Sequence, residues 1–269
     1  MEQDSIKELL EAIQDAEMIL VGLGEEFDTI AGFQNTDKYE EGKNILIQSK
    51  KSSYVPAWQS LYREQQQDLV TERLTTLAKV LEGKNYFVVS VATNNAIAEI
   101  PWREGRLVMP CGSDMYRQCS PECEENLKIL DSEEQLQVKN ELINWRKLLV
   151  SGKTDSLPEC LGSCSKCKAQ IELNNIYSEQ YDENGYLPAW QFYTKWLQGT
   201  LNRKLVILEL GVGMKFPSVI RFPFEKVAYF NQKAKFYRIN KNLYHLTEEL
   251  AGKGVGIADN AIDWLGNLC

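Results

Sequence analysis

The sequence has a single histidine, His245, and no apolar run of the length that a membrane-spanning helix needs. Basic residues are also few, since 30 Lys and Arg stand against 38 Asp and Glu and give a formal net charge of −8. Proteins that bind nucleic acid usually present a basic face, so we expect neither a nucleic-acid partner nor a membrane partner. We expect His245, in a helical stretch near the end of the chain, to have a surface or capping role.

The first residues lack the basic flank and the continuous apolar run of a signal peptide. They predict an amphipathic helix, with Ile6, Leu9, Leu10 and Ile13 on one stripe. These features predict a cytoplasmic protein, in a compartment where thiols stay reduced. Clustered cysteines in such a protein bind metal more often than they form disulfides.

Short apolar runs recur along the chain and are separated in several places by helical patterns, such as Val70, Leu74, Leu77 and Leu81. The first run, Met18 to Leu23, ends in a glycine turn and is typical of a buried parallel strand. The later runs are Tyr86–Val91, Arg106–Met109, Lys204–Leu210, Ala234–Ile239 and Gly254–Ala258. Strands that alternate with helices predict an α/β fold, a Rossmann-like parallel sheet with helices on both faces.

One long stretch interrupts this alternation, and we interpret residues 113–199 as an inserted module without a buried-strand run. It contains a helix that we expect to begin at a capping box, Ser132-x-x-Gln135, and to place Val138, Leu142, Trp145 and Leu149 on one face. The Rossmann-like domain is then residues 1–112 and 200–269, with a smaller excursion at 33–67. The tetrapeptide Pro-Ala-Trp-Gln occurs at 56–59 and 188–191, either by coincidence or as two helix starts that use proline in the first turn.

Two pairs of cysteines lie inside this insert: Cys119-x3-Cys123 and Cys164-x2-Cys167. Zn²⁺ takes four tetrahedral ligands, and two such pairs supply four thiolates. Unrelated thiols are the alternative, and Cys160-x3-Cys164 would make a competing second pair. A closed four-thiolate site has no open coordination position, so we expect a structural zinc ion.

Several predicted strands end in glycine or asparagine, which favours a shared ligand crevice at one edge of the sheet. These ends are Gly22-Leu23-Gly24, Gly211-Val212-Gly213 and Asn240. Glu25, Glu26 and Asp28 follow the first turn, where they would repel a pyrophosphate unless they point away or pair with cations. Alternatively, they stabilise the N-terminus of a helix.

At this point the sequence resembles the sirtuin family, most closely its macrodomain-linked class, over nearly the whole chain. The most specific segment is Leu208-Glu-Leu-Gly-Val-Gly with its following prolines, and next are Gln118-Cys-Ser-Pro-Glu-Cys123 and the segment from Leu157 through Cys167. The resemblance implies a Rossmann-type domain with a zinc ribbon, NAD across the sheet crevice, and Asn240 at the adenosine ribose. It also implies that Thr93 and either Asn94 or Asn95 line the nicotinamide ribose.

The sequence departs from the family pattern at several catalytic positions. Cys111 occupies the place of the family's histidine, or of the glutamine of the macrodomain-linked class. The aspartate expected after the Thr-x-Asn motif is missing, with Ala96 and Ile97 in its vicinity, and Glu26 stands at the approximate place of a serine. The family's Phe-Arg remains only as Phe33-Gln34, which the resemblance places among the cofactor contacts.

These observations predict an NAD-dependent protein ADP-ribosyltransferase that binds NAD or ADP-ribose, a structural zinc ion and a protein acceptor. The candidate catalytic residues are Asn94, Asn95 and Cys111. A catalytically inert module that binds NAD, ADP-ribose or a protein partner is the alternative, because the lost histidine, aspartate and serine all favour it. Deacylation is less plausible, because it needs a general base on the ribose hydroxyl.

Overall fold

The computed structural model describes residues 2–28, 37–154 and 156–268, with side chains from Ile6 onward apart from those of residues 64–67. The described helices are α1 (Glu2–Asp15), α2 (Asp37–Gln48), α3 (Val55–Val80), α4 (Ala96–Glu99), α5 (Ser132–Val150), α6 (Leu187–Gln198), α7 (Arg221–Phe230) and α8 (Ala261–Leu265). The strands are β1 (Met18–Leu23), β2 (Tyr86–Ser90), β3 (Leu107–Val108), β4 (Gly112–Gln118), β5 (Lys128–Ile129), β6 (Glu172–Asn175), β7 (Leu205–Leu210), β8 (Ala234–Ile239) and β9 (Gly254–Ile257). None of the helices in these ranges is long and apolar enough to cross a membrane.

Six of the strands form one parallel sheet in the order β3-β2-β1-β7-β8-β9. This confirms the predicted parallel sheet, because each of its strands falls on one of the six apolar runs. The order reverses direction between β1 and β7, which is the switch point where ligands bind in doubly wound folds. Leu23 and Leu210 are partners across these two strands, so the glycine turns that follow them are direct neighbours.

Helices cover both faces of the sheet, as the alternation of strands and helices predicted. On one face, Ile19 and Val21 join a core cluster with α1, α3 and α8 that includes Leu74 and Trp264. On the other face, Leu20 joins a cluster with α6 and α7. Successive strand residues thus enter opposite cores, which explains why the strands are continuous apolar runs rather than alternating ones.

The inserted module contains a second, antiparallel sheet of three strands in the order β5-β4-β6. The sequence indicated no buried-strand run between residues 113 and 199, and these three short strands were not predicted. The strands were missed because most of β4 is only half-buried and β5 is exposed, so neither produces an apolar run.

The N-cap of helix α5 is the residue before the predicted one, Ser132. Asp131 is the N-cap, and its carboxylate accepts from the backbone N–H groups of Glu133 and Glu134. The carboxylate of Glu134 accepts in turn from the backbone N–H of Asp131. The predicted buried face of the helix is confirmed, and it consists of Val138, Leu142, Trp145 and Leu149.

The first half of α3 and helix α2 pack on α5 rather than on the parallel sheet. Trp58 and Trp145 meet at the centre of this cluster, with ring centroids 4.9 Å apart. Helix α6 packs instead on the parallel sheet, where Tyr193 and Trp196 contact Phe87. The two Pro-Ala-Trp-Gln segments lie in the first turns of α3 and α6, which supports the helix-start interpretation.

His245 does not lie in a helix, contrary to the sequence-based expectation. It belongs to the irregular segment that follows β8, where its ring stacks on Tyr244 with centroids 4.0 Å apart. The segment is held to the sheet by the backbone oxygen of His245, which accepts from the buried guanidinium of Arg238 at 2.8 Å. This contact joins the segment back to the strand before it, and periodicity does not reveal it.

Candidate functional site

The four predicted zinc ligands come together in the inserted module. The sulfur atoms of Cys119, Cys123, Cys164 and Cys167 all lie within 4.8 Å of one another. Tetrahedral zinc with Zn–S bonds of about 2.3 Å places its sulfurs about 3.8 Å apart, so the cluster fits this ion. The backbone N–H groups of Cys167 and Lys166 lower the pKa of Cys164 to about 6, which favours the thiolate that a metal needs.

Cys160 lies outside the four-cysteine cluster. Its side chain is fully buried in the helical core with Trp58, Trp145 and Leu173. Burial raises the pKa of its thiol to about 12, so it stays protonated at neutral pH. Cys160 therefore has the properties of a small apolar core residue, and the second cysteine pair is Cys164 with Cys167.

The glycine turns after β1 and β7 contact each other directly at the switch point. The backbone N–H of Gly24 donates to the Leu210 oxygen at 2.8 Å. A Cβ on Gly24 would lie 2.2 Å from the Cα of Val212, a distance that no side chain allows. Gly211 has a φ of +62°, and Gly22 packs its open side against Phe224 of α7. Gly24 is therefore needed for the close approach of the two turns, whereas Gly22 leaves room for the side chains of α7 and Gly211 supplies the positive φ.

The carboxylate of Glu25 bridges the two glycine turns. One of its oxygens accepts from the backbone N–H of Gly213 at 2.5 Å, and the other accepts from that of Lys215 at 3.1 Å. These amides belong to the turn after β7, where a nucleotide at the switch point would find its donors. A side chain of the protein thus holds donors that an anionic ligand would need.

Glu26 makes the same kind of contact further along the edge of the sheet. Its carboxylate accepts from the backbone N–H of Lys241, after β8, at 3.0 Å and from that of Ala261, at the start of α8, at 2.7 Å. Burial raises the pKa of Glu26, and the two amides oppose this shift. Together the two carboxylates bind backbone amides that follow three other strands, β7, β8 and β9. They therefore do not point away from this edge of the sheet, and they do more than stabilise the N-terminus of one helix.

Asn240 ends β8 inside the protein, with only 4% of its surface exposed. Its amide nitrogen donates to the Val212 oxygen at 3.1 Å. Its side-chain oxygen accepts from the backbone N–H groups of Asn242 and Leu243 at 2.9 and 2.7 Å. The side chain fixes the loop after β8 to the glycine turn after β7, and its contact with a ribose stays a prediction.

A buried ion-pair network lies under these turns. Glu209 of β7 is fully buried and accepts from Arg221 at 2.9 Å and from Arg238 at 2.6 Å. Arg238 also pairs with Glu225 at 2.6 Å, and Arg221 donates to the Leu243 oxygen. The network ties β7, β8 and α7 to the loop that Asn240 begins.

The Thr-Asn-Asn segment after β2 forms a second polar region at the same edge of the sheet. The backbone N–H of Thr93 donates to both carboxylate oxygens of Asp28 at 3.0 Å. Asn94 is buried, and its amide group donates to the Phe27 oxygen at 3.0 Å. Asn95 accepts from the backbone N–H of Asp114 at 2.9 Å. Asn94 therefore holds the turn after β1, whereas Asn95 faces the inserted module.

A cavity of about 310 Å³ opens beside this segment, between the parallel sheet and helices α3 and α5. Its polar lining includes Arg63, Thr93, Asn94, Asn95 and Asp114. The guanidinium of Arg63 is 4% exposed and lies 3.7 Å from the Asp28 carboxylate. Its Nε and Nη2 atoms, like Oδ1 of Asp114, are buried without a hydrogen-bond partner among the described residues. Unpaired buried donors and acceptors are costly, so these atoms favour a polar ligand in the cavity.

Cys111, one of the candidate catalytic residues, is buried, with 2% of its surface exposed. Burial and the nearby Asp28 carboxylate raise its pKa to about 12. The thiol therefore stays protonated at neutral pH and does not replace a basic imidazole. Phe33 and Gln34, the other predicted cofactor contacts, lie outside the described residues.

Sequence analysis missed Arg63, Asp114 and the Glu209 ion pairs. One signal pointed to Arg63: it stands seven residues before Val70 on the apolar stripe of α3, where a charged residue is unexpected. Asp114 gave no such signal, because its neighbours come from distant parts of the chain.

Comparison with known proteins identifies the fold. No protein-family model matches the chain. A curated protein from Staphylococcus aureus (strain Mu50 / ATCC 700699), named protein ADP-ribosyltransferase, is 22% identical over 93% of this chain and 82% of that protein.

Three solved structures match nearly the whole chain, and the first is a Sir2 enzyme with a TM-score of 0.52 and 14% identity that covers 99% of this chain and 96% of that one. The second is a sirtuin described for its substrate affinity, with a TM-score of 0.56, 13% identity and 97% of each chain covered. The third is Sir2 with a p53 peptide and NAD⁺, with a TM-score of 0.55, 12% identity and coverage of 98% of this chain and 96% of that one. The chain therefore has the sirtuin fold, which confirms the resemblance at the level of the fold.

Proposed function

We propose that the protein is an NAD-dependent protein ADP-ribosyltransferase with a structural zinc ion. The observation that carries this proposal is the likeness to a protein ADP-ribosyltransferase over most of both chains, on a sirtuin fold. The Sir2 structure with a p53 peptide and NAD⁺, which has the same fold, supports NAD as the donor of the ADP-ribosyl group. The acceptor would be a protein. We also propose a cytoplasmic location, because a four-thiolate site needs reduced cysteines.

In this proposal the dinucleotide lies along the carboxyl edge of the sheet. Gly22, Leu23 and Gly24, with Gly211, Val212 and Gly213, would form the backbone cradle, and Asn240 would lie near the adenosine end. Glu25 holds the Gly213 amide of this cradle, and Glu26 holds amides after β8 and at the start of α8. A nucleotide that uses these amides would require the two carboxylates to leave. Binding is then coupled to a local rearrangement of the turn after β1.

The nicotinamide end would lie at the cavity beside Thr93 and Asn95. The amide of Asn95 and the dipoles at the ends of the strands would stabilise positive charge that develops on the ribosyl carbon. Deacylation is disfavoured, because the position of the family's basic residue is held by the protonated thiol of Cys111. The four cysteines of the inserted module would hold zinc as a structural ion, since no coordination position stays open.

A second candidate is a catalytically inert module that binds NAD, ADP-ribose or a protein partner. The observation that favours it is the engagement of four backbone amides by Glu25 and Glu26. In such a protein the carboxylates would replace the nucleotide permanently, and the fold and the zinc module would serve partner recognition.

Calorimetric titration with NAD and with ADP-ribose, followed by an assay of nicotinamide release, separates the two candidates. Binding of NAD together with release of nicotinamide supports the transferase. Binding without release at any pH between 5 and 9 supports the inert module. No binding of either ligand, with an unchanged melting temperature, would contradict both nucleotide-dependent functions.

A further inference from the structure

Two carboxyl groups that the proposed function leaves without a role line the cavity between the sheet and the inserted module, and of these Glu99 is exposed whereas Asp114 has a buried oxygen. Its backbone N–H donates to Asn95 Oδ1 at 2.9 Å, which places Asp114 next to the segment proposed to line the nicotinamide ribose. Its own Oδ1 is buried in the cavity wall and has no partner among the described residues. A free acceptor atom at a reaction site is a candidate for binding or removing a proton.

We propose that Asp114 is the general base of the transfer step and that the acceptor group is a hydroxyl. This inference rests on the proposed function. A hydroxyl must lose its proton as it attacks, whereas a carboxylate acceptor would need no base. The carboxylate of Asp114 provides the acceptor atom for this proton.

The step balances without an additional reactant. The bond between the ribosyl carbon of NAD and the nicotinamide nitrogen breaks, and its electron pair neutralises the positive ring. The hydroxyl oxygen forms the new bond to the ribosyl carbon. The proton of that hydroxyl passes to the Asp114 carboxylate and from there to solvent.

The charges around Asp114 allow it to change protonation state near neutral pH. Burial is the largest effect and raises its pKa, the guanidinium of Arg63 opposes this shift, and the Asp28 carboxylate adds to it, with a pKa of about 7 as the result. Glu99 and Lys139 also line the cavity, from α4 and α5. A base with a pKa near the working pH is the effective one for catalysis.

Two other titratable side chains near this place are less suited to the role. The thiol of Cys111 has a pKa of about 12 and stays protonated. Asp28 is engaged by the backbone N–H of Thr93 and by the guanidinium of Arg63. Asp114 combines a free oxygen, a cavity and a pKa near neutrality.

The test compares the wild type with Asp114→Asn, which keeps the shape and removes the base. Water serves as the hydroxyl, and nicotinamide release from NAD is measured between pH 5 and 9. We expect the wild-type kcat to rise with pH through about 7 and then level off. In Asp114→Asn it should fall by about 100-fold or more and lose this rise. Asp114→Glu should restore part of the rate.

Asp68→Asn, an exposed aspartate on α3, is the matched control and should leave the rate unchanged. Two readouts do not depend on turnover. ADP-ribose should bind Asp114→Asn with a Kd within twofold of wild type. NMR of ¹³C-carboxyl-labelled aspartate should show a carboxyl that titrates near pH 7 in the wild type and that is missing from the variant.

Two results overturn the inference while the wild type is active. One is an unchanged kcat and pH profile in Asp114→Asn, and the other is a spectrum in which every aspartate titrates below pH 5. Failure of the proposed function gives a different result. In that case the wild type itself releases no nicotinamide at any pH, although Asp114 still titrates near pH 7.

Discussion

Replacing both Glu25 and Glu26 with alanine should tighten the binding of ADP-ribose. Their carboxylates accept from four backbone amides at the carboxyl edge of the sheet, at distances of 2.5 to 3.1 Å. A ligand that needs those amides must first displace the carboxylates. In the wild type, therefore, the state with both carboxylates displaced is a minor one. The apparent affinity for ADP-ribose is the intrinsic affinity multiplied by the fraction of the protein in that state.

The size of the effect follows from these hydrogen bonds. A hydrogen bond to a charged group contributes about 1.5–3 kcal/mol, but a released carboxylate regains much of this from water. A net stabilisation of about 1 kcal/mol for each carboxylate gives about 2 kcal/mol in total, or an open fraction of about 3%. Removing both carboxylates should then lower the Kd for ADP-ribose by about 30-fold, and Glu26→Ala alone should lower it by about fivefold.

Isothermal titration calorimetry measures the change, with circular dichroism to show that the variants are folded. Glu17→Ala is the matched control, because Glu17 also accepts from a backbone amide, that of Lys204 at 2.8 Å, but at the opposite end of the sheet. Its Kd should equal that of the wild type. A folded double variant that binds ADP-ribose no more tightly than the wild type would show that the two glutamates do not compete with the ligand.

Three further predictions concern metal content and stability. Protein purified under reducing conditions should contain one zinc ion per chain by elemental analysis. The Cys167→Ser variant should lose this zinc, whereas Cys160→Ser should retain it. Wild-type protein without zinc would refute the site. Asp114→Asn should be more stable than wild type at pH 8 but not at pH 4, because a pKa raised from 3.8 to about 7 contributes stability below pH 4 that is lost as the pH rises through 7. After allowance for water near this half-buried group, the free energy of unfolding of Asp114→Asn at pH 8 should exceed that of the wild type by about 1–2 kcal/mol, or about 2–6 °C in Tm by calorimetry. Equal shifts of Tm at pH 4 and pH 8 would contradict this prediction. Glu209→Ala leaves Arg221 and Arg238 buried with fewer acceptors, so its free energy of unfolding in urea should fall by about 3–5 kcal/mol, and a loss below 1 kcal/mol would show that the network is dispensable.

The parallel sheet could be predicted from the sequence because its strands are buried on both faces. The central strands β1, β2 and β7 are buried along their whole length and are therefore nearly continuous apolar runs, and glycine or asparagine follows several strands. The zinc cluster was predictable for a related reason, since two closely spaced pairs suffice to identify four ligands. The small antiparallel sheet was not, because β4 is mostly half-buried, β5 is exposed, and β6 is short and mostly polar.

The candidate site was predictable only in part, because its chemistry depends on contacts between distant segments. The acidic turn after β1 raised the question of repulsion, but only the fold shows that Glu25 reaches Gly213, 188 residues away, and that Glu26 reaches Ala261, 235 residues away. Likewise, Asp114 lies beside Asn95 only because β4 of the insert passes the end of β2. Spacing within a sequence does not encode such neighbours.

The two polar regions at the carboxyl edge of the sheet differ in how many of their polar groups already have hydrogen-bond partners. At the switch point, the backbone donors already have acceptors in Glu25 and Glu26, and Asn240 is bonded at both ends of its amide. In the cavity, by contrast, Arg63 and Asp114 retain buried atoms without partners among the described residues. Because unpaired buried groups gain most from a ligand, the cavity should be the first part of the edge to be occupied. Binding there would then precede release of the glutamates, so a nicotinamide-like fragment should bind the wild type and the Glu25/Glu26 double variant equally, whereas ADP-ribose should distinguish them.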